Sequence, residues 1–157
     1  MRTILLLLCL ALVSAGCSTC PSPCPADSSP TGNTTLCQFS QKSGTAGWEI
    51  EDDLVMGGRS RGQLVVNEAG NAVFTGLISL DNDGGFSSIQ CDLGLLDVSA
   101  YHTICLGLKG DGKPYQLRVD AAPDAPHSYA GDFSTSGNWQ VVEIPFSDLR
   151  AIRHGDL

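Results

Sequence analysis

Asn71-Ala72-Val73-Phe74-Thr75-Gly76-Leu77-Ile78-Ser79 alternates residue by residue. Val73, Thr75, Leu77 and Ser79 fall on one face, and Phe74, Gly76 and Ile78 on the other. That two-residue period belongs to a β-strand, whose successive side chains point to opposite sides. Before it, Leu64-Val65-Val66 reads as a short strand. After it, Phe86 to Cys91, Thr103 to Lys109, Tyr115 to Asp120, Tyr129 to Phe133 and Trp139 to Ile144 read the same way. Turn-forming stretches separate them: Glu68-Ala69-Gly70-Asn71, Asp83-Gly84-Gly85, Gly110-Asp111-Gly112-Lys113-Pro114 and Ser136-Gly137-Asn138. Many short strands at regular spacing predict an all-β, two-sheet sandwich of jelly-roll type. Only Asp92 to Ala100 leaves room for a short helical turn, and no internal repeat is present.

The chain of 157 residues suits one domain with a single sizeable core. Its 18 Gly, 8 Pro and modest charged fraction fit a turn-rich β protein. The formal charge of −8 argues against nucleic acid, whose phosphates reward clustered Lys and Arg. The nearest approach to such a cluster is Arg59 with Arg61.

Residues 1–16 read as an export signal. Arg2 supplies the positive start, and Ile4 to Val13 is an apolar run too short to span a bilayer. Ser14-Ala15-Gly16 precedes Cys17, as in a bacterial lipobox, which would make Cys17 the lipidated first residue. The competing reading takes Val13-Ser14-Ala15 as an ordinary signal-peptidase site. The short signal and the segment after it favour lipidation. On that reading the only membrane contact is a lipid anchor at Cys17, and the protein is an envelope lipoprotein. On the other it is secreted or periplasmic. Residues 17–38 are rich in Pro, Ser, Thr, Cys and Gly without apolar period and read as a tether. The domain is placed at 39–157.

Seven cysteines are present, and Cys9 leaves with the signal. Simple secretion leaves an even set: Cys17, Cys20, Cys24, Cys37, Cys91 and Cys105. Lipidation of Cys17 leaves an odd one. Exported thiols tend to pair, so disulfides are expected. Cys91 and Cys105 lie in predicted strands, either bridged to each other or buried as small apolar residues. Cys17-x2-Cys20-x3-Cys24 fits no standard metal or iron–sulfur spacing.

A series of motifs stands in the second half of the chain. Trp48 and Asp52-Asp53-Leu54-Val55-Met56-Gly57-Gly58-Arg59-Ser60 are followed by Gly84-Gly85-Phe86-Ser87-Ser88. Lys109-Gly110-Asp111-Gly112 with Tyr115 comes next, then Trp139 with Ile144-Pro145-Phe146. Over about residues 48–155 this series resembles the CIA30 family, named for an assembly factor of respiratory complex I. The resemblance implies the galactose-binding-like version of the sandwich. It also implies a non-catalytic role in assembling or stabilising protein complexes through surface contacts. Family members continue with further strands after the stretch matching Pro145-Phe146. This chain stops at residue 157, so the expectation is a sandwich lacking its last strands.

Several motifs have competing readings. Gly58-Arg59-Ser60-Arg61-Gly62 matches G-x-S-x-G, but a strand follows where a nucleophile elbow needs a helix. A hydrolase using Ser60 is therefore the weakest alternative and a tight turn the stronger reading. Asp81-Asn82-Asp83-Gly84 offers oxygen ligands for a structural calcium, yet fails the EF-hand template. A plain hairpin turn is the simpler reading, and no other cofactor is expected. His102, His127 and His154 stand in no catalytic or metal-binding spacing and read as loop or surface residues. Trp48, Phe86, Trp139 and Phe146 read as core rather than ligand platform, with one alternative open for Trp139: its phase with Val141 and Glu143 permits partial exposure, where it can stack on a sugar or anchor a partner. The adjacent carboxylates Asp52 and Asp53 are costly to bury without partners, for which Arg59 and Arg118 are candidates. The candidate binding residues are thus Asp52, Asp53, Lys109, Asp111, Tyr115 and Trp139, with no catalytic residue. The partner is a protein or, on the alternative reading of a carbohydrate-binding module, an envelope glycan.

Overall fold

The computed structural model describes residues 4–5, 33–83, 85–122 and 125–153. Its architecture is an all-β sandwich. The strands are β1 (Ile4–Leu5), β2 (Trp48–Asp52), β3 (Arg61–Val66), β4 (Ala72–Leu77), β5 (Ser87–Cys91), β6 (Thr103–Lys109), β7 (Pro114–Asp120), β8 (His127–Ser134), β9 (Trp139–Pro145) and β10 (Arg150–Arg153). Antiparallel pairs β2–β5, β3–β4 and β6–β9 accompany a four-stranded sheet ordered β1-β7-β8-β10. The β1 strand lies within the segment read as a leader and adds two parallel residue pairs at Tyr115 and Gln116.

Each strand predicted from alternation is present. Phe74 packs on the core, while Thr75 and Leu77 are exposed, as the period at 71–79 requires. Across β3–β4, Leu64 lies opposite Phe74 and Gln63 opposite Thr75, so one hairpin face is apolar and the other wet. The core gathers Ile89, Ile104, Leu106, Leu108, Leu117, Phe133 and Ile144, from β5 through β9. Removing each such side chain from water contributes about 1.5–3 kcal/mol, which is what holds the strand pairs face to face. Trp48 and Phe146 pack against this cluster, and Phe86 is buried beside it, as expected. The space allowed for a turn holds only Ser99–Ala100, closed by Tyr101 N–H to Val98 O at 3.0 Å.

Besides β1, two strands were not legible in advance. β2 (Trp-Glu-Ile-Glu-Asp) has two charged residues facing out and gains its place by pairing with β5, Trp48 opposite Cys91 through Asp52 opposite Ser87. β10 (Arg-Ala-Ile-Arg) has only Ile152 as a large apolar residue. It forms because β8 offers a free edge, where Arg150 meets Ala130 and Arg153 meets His127. A strand therefore follows Phe146 in the stretch expected to contain none.

Candidate functional site

Asp53 follows β2 and opens a 3-10 turn over Asp53–Met56, which Gly57 closes in the left-handed region at φ 84°. Its side chain is fully buried. One carboxylate oxygen accepts the Ser60 N–H at 2.9 Å. The other accepts the Ser60 hydroxyl at 2.6 Å and the Gly85 N–H at 2.6 Å. The Phe86 N–H adds a further bond. Burial alone would push this carboxyl up, but the bonds from Ser60, Gly85 and Phe86 outweigh it and hold the group below the usual carboxylate range. The Ser60 hydroxyl in turn accepts the Ser79 N–H at 3.1 Å. One buried anion thus ties together the Met-Gly-Gly turn, the approach to β3, the exit from β4 and the Gly85-Phe86 loop.

This geometry accounts for the motif residue by residue. Gly57 supplies a positive φ, which a Cβ makes costly. Gly58 is required for a different reason: a Cβ there would lie 2.2 Å from Asp53 Cγ. Asp52 turns the other way and accepts the Gly62 N–H at 3.0 Å. Neither expected arginine partner is used. Arg59 reaches Asp81 at 3.7 Å, with both side chains largely exposed. Arg118 donates from Nε to Gln116 Oε1 at 2.8 Å. Backbone amides and one hydroxyl solvate Asp53 where a cation was expected. The same network withdraws Ser60 from nucleophilic work, since its hydroxyl is buried and engaged as both donor and acceptor.

Asp81-Asn82-Asp83 forms a 3-10 turn with Asn82 at φ 56°, and Asn82 Nδ2 donates to Gly57 O at 2.8 Å. Its polar atoms brace the Met-Gly-Gly turn from outside. Among the described residues no three His, Cys, Asp or Glu side chains converge as metal ligands. His102 and His127 are exposed, and His154 lies outside the described residues.

Four of the predicted binding residues come together at the other turn. Lys109 and Trp139 are directly opposite across β6–β9. Trp139 keeps 43% of its surface exposed. In the adjoining 110–113 turn, Asp111 accepts the Tyr115 hydroxyl at 2.8 Å and pairs with Lys113. Lys113 foremost, then Tyr115, holds the Asp111 carboxyl below its usual range. Burial and the Asp111 bond push the Tyr115 phenol well above its ordinary value, so it remains a neutral donor. Thr135 seats the turn by accepting the Gly112 N–H at 3.1 Å and donating to Lys113 O at 2.9 Å. Lys109, Asp111, Tyr115 and Trp139 therefore share one edge. Asp52 and Asp53 belong to the separate Met-Gly-Gly cluster.

A polar network on the four-stranded sheet had no sequence signal. Gln116 Nε2 donates to Asp132 at 2.7 Å, and Arg150 donates to the other Asp132 oxygen at 2.6 Å. Arg118, on Gln116, completes a line across β7, β8 and β10. Gln116 and Arg118 lie two residues apart on one strand and so share its face, but which strands would lie beside them is a matter of tertiary pairing.

Ser87 is the exception to this polar economy. It is 1% exposed, and its hydroxyl has no hydrogen-bond partner among the described residues. An unsatisfied buried hydroxyl costs about 1–3 kcal/mol. Ser87→Ala is expected to leave stability unchanged or raise it by up to about 1 kcal/mol in urea unfolding. A loss above that size would show that the hydroxyl has a partner.

The architecture and this buried clamp define an all-β domain in which the most conspicuous motif carboxylate is structural. The chain belongs to the CIA30 family: the model for complex I intermediate-associated protein 30 matches residues 37–157. The match includes Cys37, inside the stretch read as tether. No curated protein and no solved structure matches the chain.

Proposed function

We propose that the protein is an exported, non-catalytic binding protein of the CIA30 type, assisting assembly or stabilisation of a protein complex through surface contacts. The observation that carries this reading is the burial of Asp53 and Ser60 with their polar atoms engaged. The groups that most suggest chemistry are occupied in folding. What the domain offers outward instead is the Lys109–Trp139 edge and the Asp111–Tyr115 turn beside it. A half-exposed Trp among polar neighbours is a common anchor of protein interfaces. The export signal at 1–16, lipidation at Cys17 and the tether at 17–38 would hold this domain at the cell envelope. Among the described residues no helix is long and apolar enough to cross a membrane. An envelope location separates this chain from a mitochondrial complex I factor, so the complex served is taken to be an envelope one.

The test is crosslinking from native envelopes with the chain carrying its own Cys17 signal, followed by mass spectrometry. Trp139→Ala is expected to fold normally and lose a reproducible protein partner by at least about tenfold, as a truncated hot spot does. Leu95→Ser, at a residue 80% exposed on another loop, is the control that keeps it. Equal capture by wild type and Trp139→Ala would remove this edge from the interface. Recovery of envelope glycan without protein would replace the assembly reading with that of a carbohydrate-binding module.

A further inference from the structure

We propose that Cys37 and Cys91 form a disulfide that fastens the start of the domain to β5. Their sulfurs lie 3.8 Å apart, in van der Waals contact and about 1.8 Å beyond bonding distance. Both side chains are half-buried. The approach is held from two directions. Leu36, directly before Cys37, packs on the core. Phe39, two residues after it, lies against Trp48 with ring centroids 4.9 Å apart. Trp48 is the cross-strand partner of Cys91. Packing on both sides of Cys37 therefore delivers its sulfur to Cys91. The structure does not join Cys91 to Cys105, the pairing considered from the sequence: Cys105 is disulfide-bonded, and not to Cys91.

The chemistry is thiol–disulfide exchange with a small disulfide donor. The thiolate of one cysteine attacks a donor sulfur, forming a mixed disulfide and releasing one donor thiol. The thiolate of the other then attacks the protein sulfur of that mixed disulfide and releases the second. Two cysteine thiols are oxidised, one donor disulfide is reduced to two thiols, and the two cysteine protons end on them. The bridge would close a loop between residues 54 positions apart, restricting the unfolded chain far more than the folded one. Its formation in a cell rests on the export reading, because a reducing cytosol would keep both thiols. Its formation in a test tube does not.

The full chain is equilibrated with oxidised glutathione, blocked, and cleaved before aspartate without reduction. Cys37 then lies in the peptide 27–51 and Cys91 in 83–91, each with no other cysteine. The expected product is 27–51 joined to 83–91, its mass lost on reduction. Cys37→Ser with Cys91→Ser is expected to lower Tm by about 10 °C relative to the oxidised chain. Finding either peptide unlinked, or linked elsewhere, overturns the pairing. An unchanged Tm in the double variant overturns its role as a fastening. If that variant fails to fold, the peptide map on the unaltered chain still decides the pairing. An unlinked map in vitro sinks this inference without touching export, and a protein found only in the cytoplasm sinks export without touching the pair.

Discussion

Asp53→Ala is expected to lose about 3–5 kcal/mol of stability, the cost of emptying a buried charged network rather than of deleting a surface carboxylate. The substitution strands the Ser60 N–H and the Gly85 N–H, which end on this one group, and leaves the Ser60 hydroxyl only its long 3.4 Å bond to Ser79 O. Each stranded donor costs about 1–3 kcal/mol, reduced where the loops open to water. Asp53→Asn preserves the shape but turns an amide NH2 toward donors, so it too should lose at least about 2 kcal/mol. Urea unfolding measures both. A loss below about 1 kcal/mol for Asp53→Ala would mean that the loops hold without the carboxylate.

The same network fixes the sign of the acid response. Asp53, Asp111 and Asp132 all have folded-state values below the ordinary 3.8. For Asp132, the Arg150 bond is the main cause, followed by Gln116. Below the ordinary value the unfolded chain therefore binds protons that the folded chain does not. The stabilisation from these groups is complete above about pH 5 and is lost as pH falls through their lower folded-state values. Asp111 and Asp132 lie near the surface and contribute little, so Asp53 dominates. The expected result is a wild-type stability that drops as pH falls below about 4, and a flatter profile in Asp53→Asn. Parallel profiles would remove Asp53 as the cause.

Gly58→Ala is expected to cost about 3 kcal/mol, at the upper end for overpacking, although it adds a single methyl group. The added carbon would lie 2.2 Å from Asp53 Cγ and 2.3 Å from Oδ1. A flexible surface side chain would move aside, but this one is held by bonds from Ser60, Gly85 and Phe86. The Gly58 N–H also bonds to Asp53 O at 3.0 Å, which restricts relief by the backbone. The two substitutions should therefore not add. Once Asp53 is Ala the clash is gone, so Gly58→Ala in that background should cost at least about 1 kcal/mol less. A double-mutant cycle in urea reads the difference. Additive losses would show that Gly58 is needed for backbone conformation alone.

Alternation alone carried the all-β class and the approximate place of seven strands, because a strand with one face on a core must repeat every two residues. Bulk and apolarity carried the core roles of Trp48, Phe86 and Phe146, while Trp139, read as core by the same token, lies exposed. The family motifs carried membership in CIA30, which residues 37–157 match. Tertiary structure decided what the motif residues do. Asp52 and Asp53 read alike as adjacent carboxylates, yet one meets Gly62 and the other disappears into the bonds of Ser60 and Gly85. Their donors come from residues as distant as Gly85, 32 positions away, and its neighbour Phe86, and no local period encodes that meeting. β2 and β10 likewise carry weak patterns and exist because β5 and β8 have edges to fill. Cys37 reads as tether until the packing of Leu36 and Phe39 brings it to Cys91. Sequence by itself determines which faces avoid water, since hydrophobicity is a property of each side chain. Which distant donor meets which acceptor is decided only when the chain closes, because a hydrogen bond requires both groups within about 3 Å.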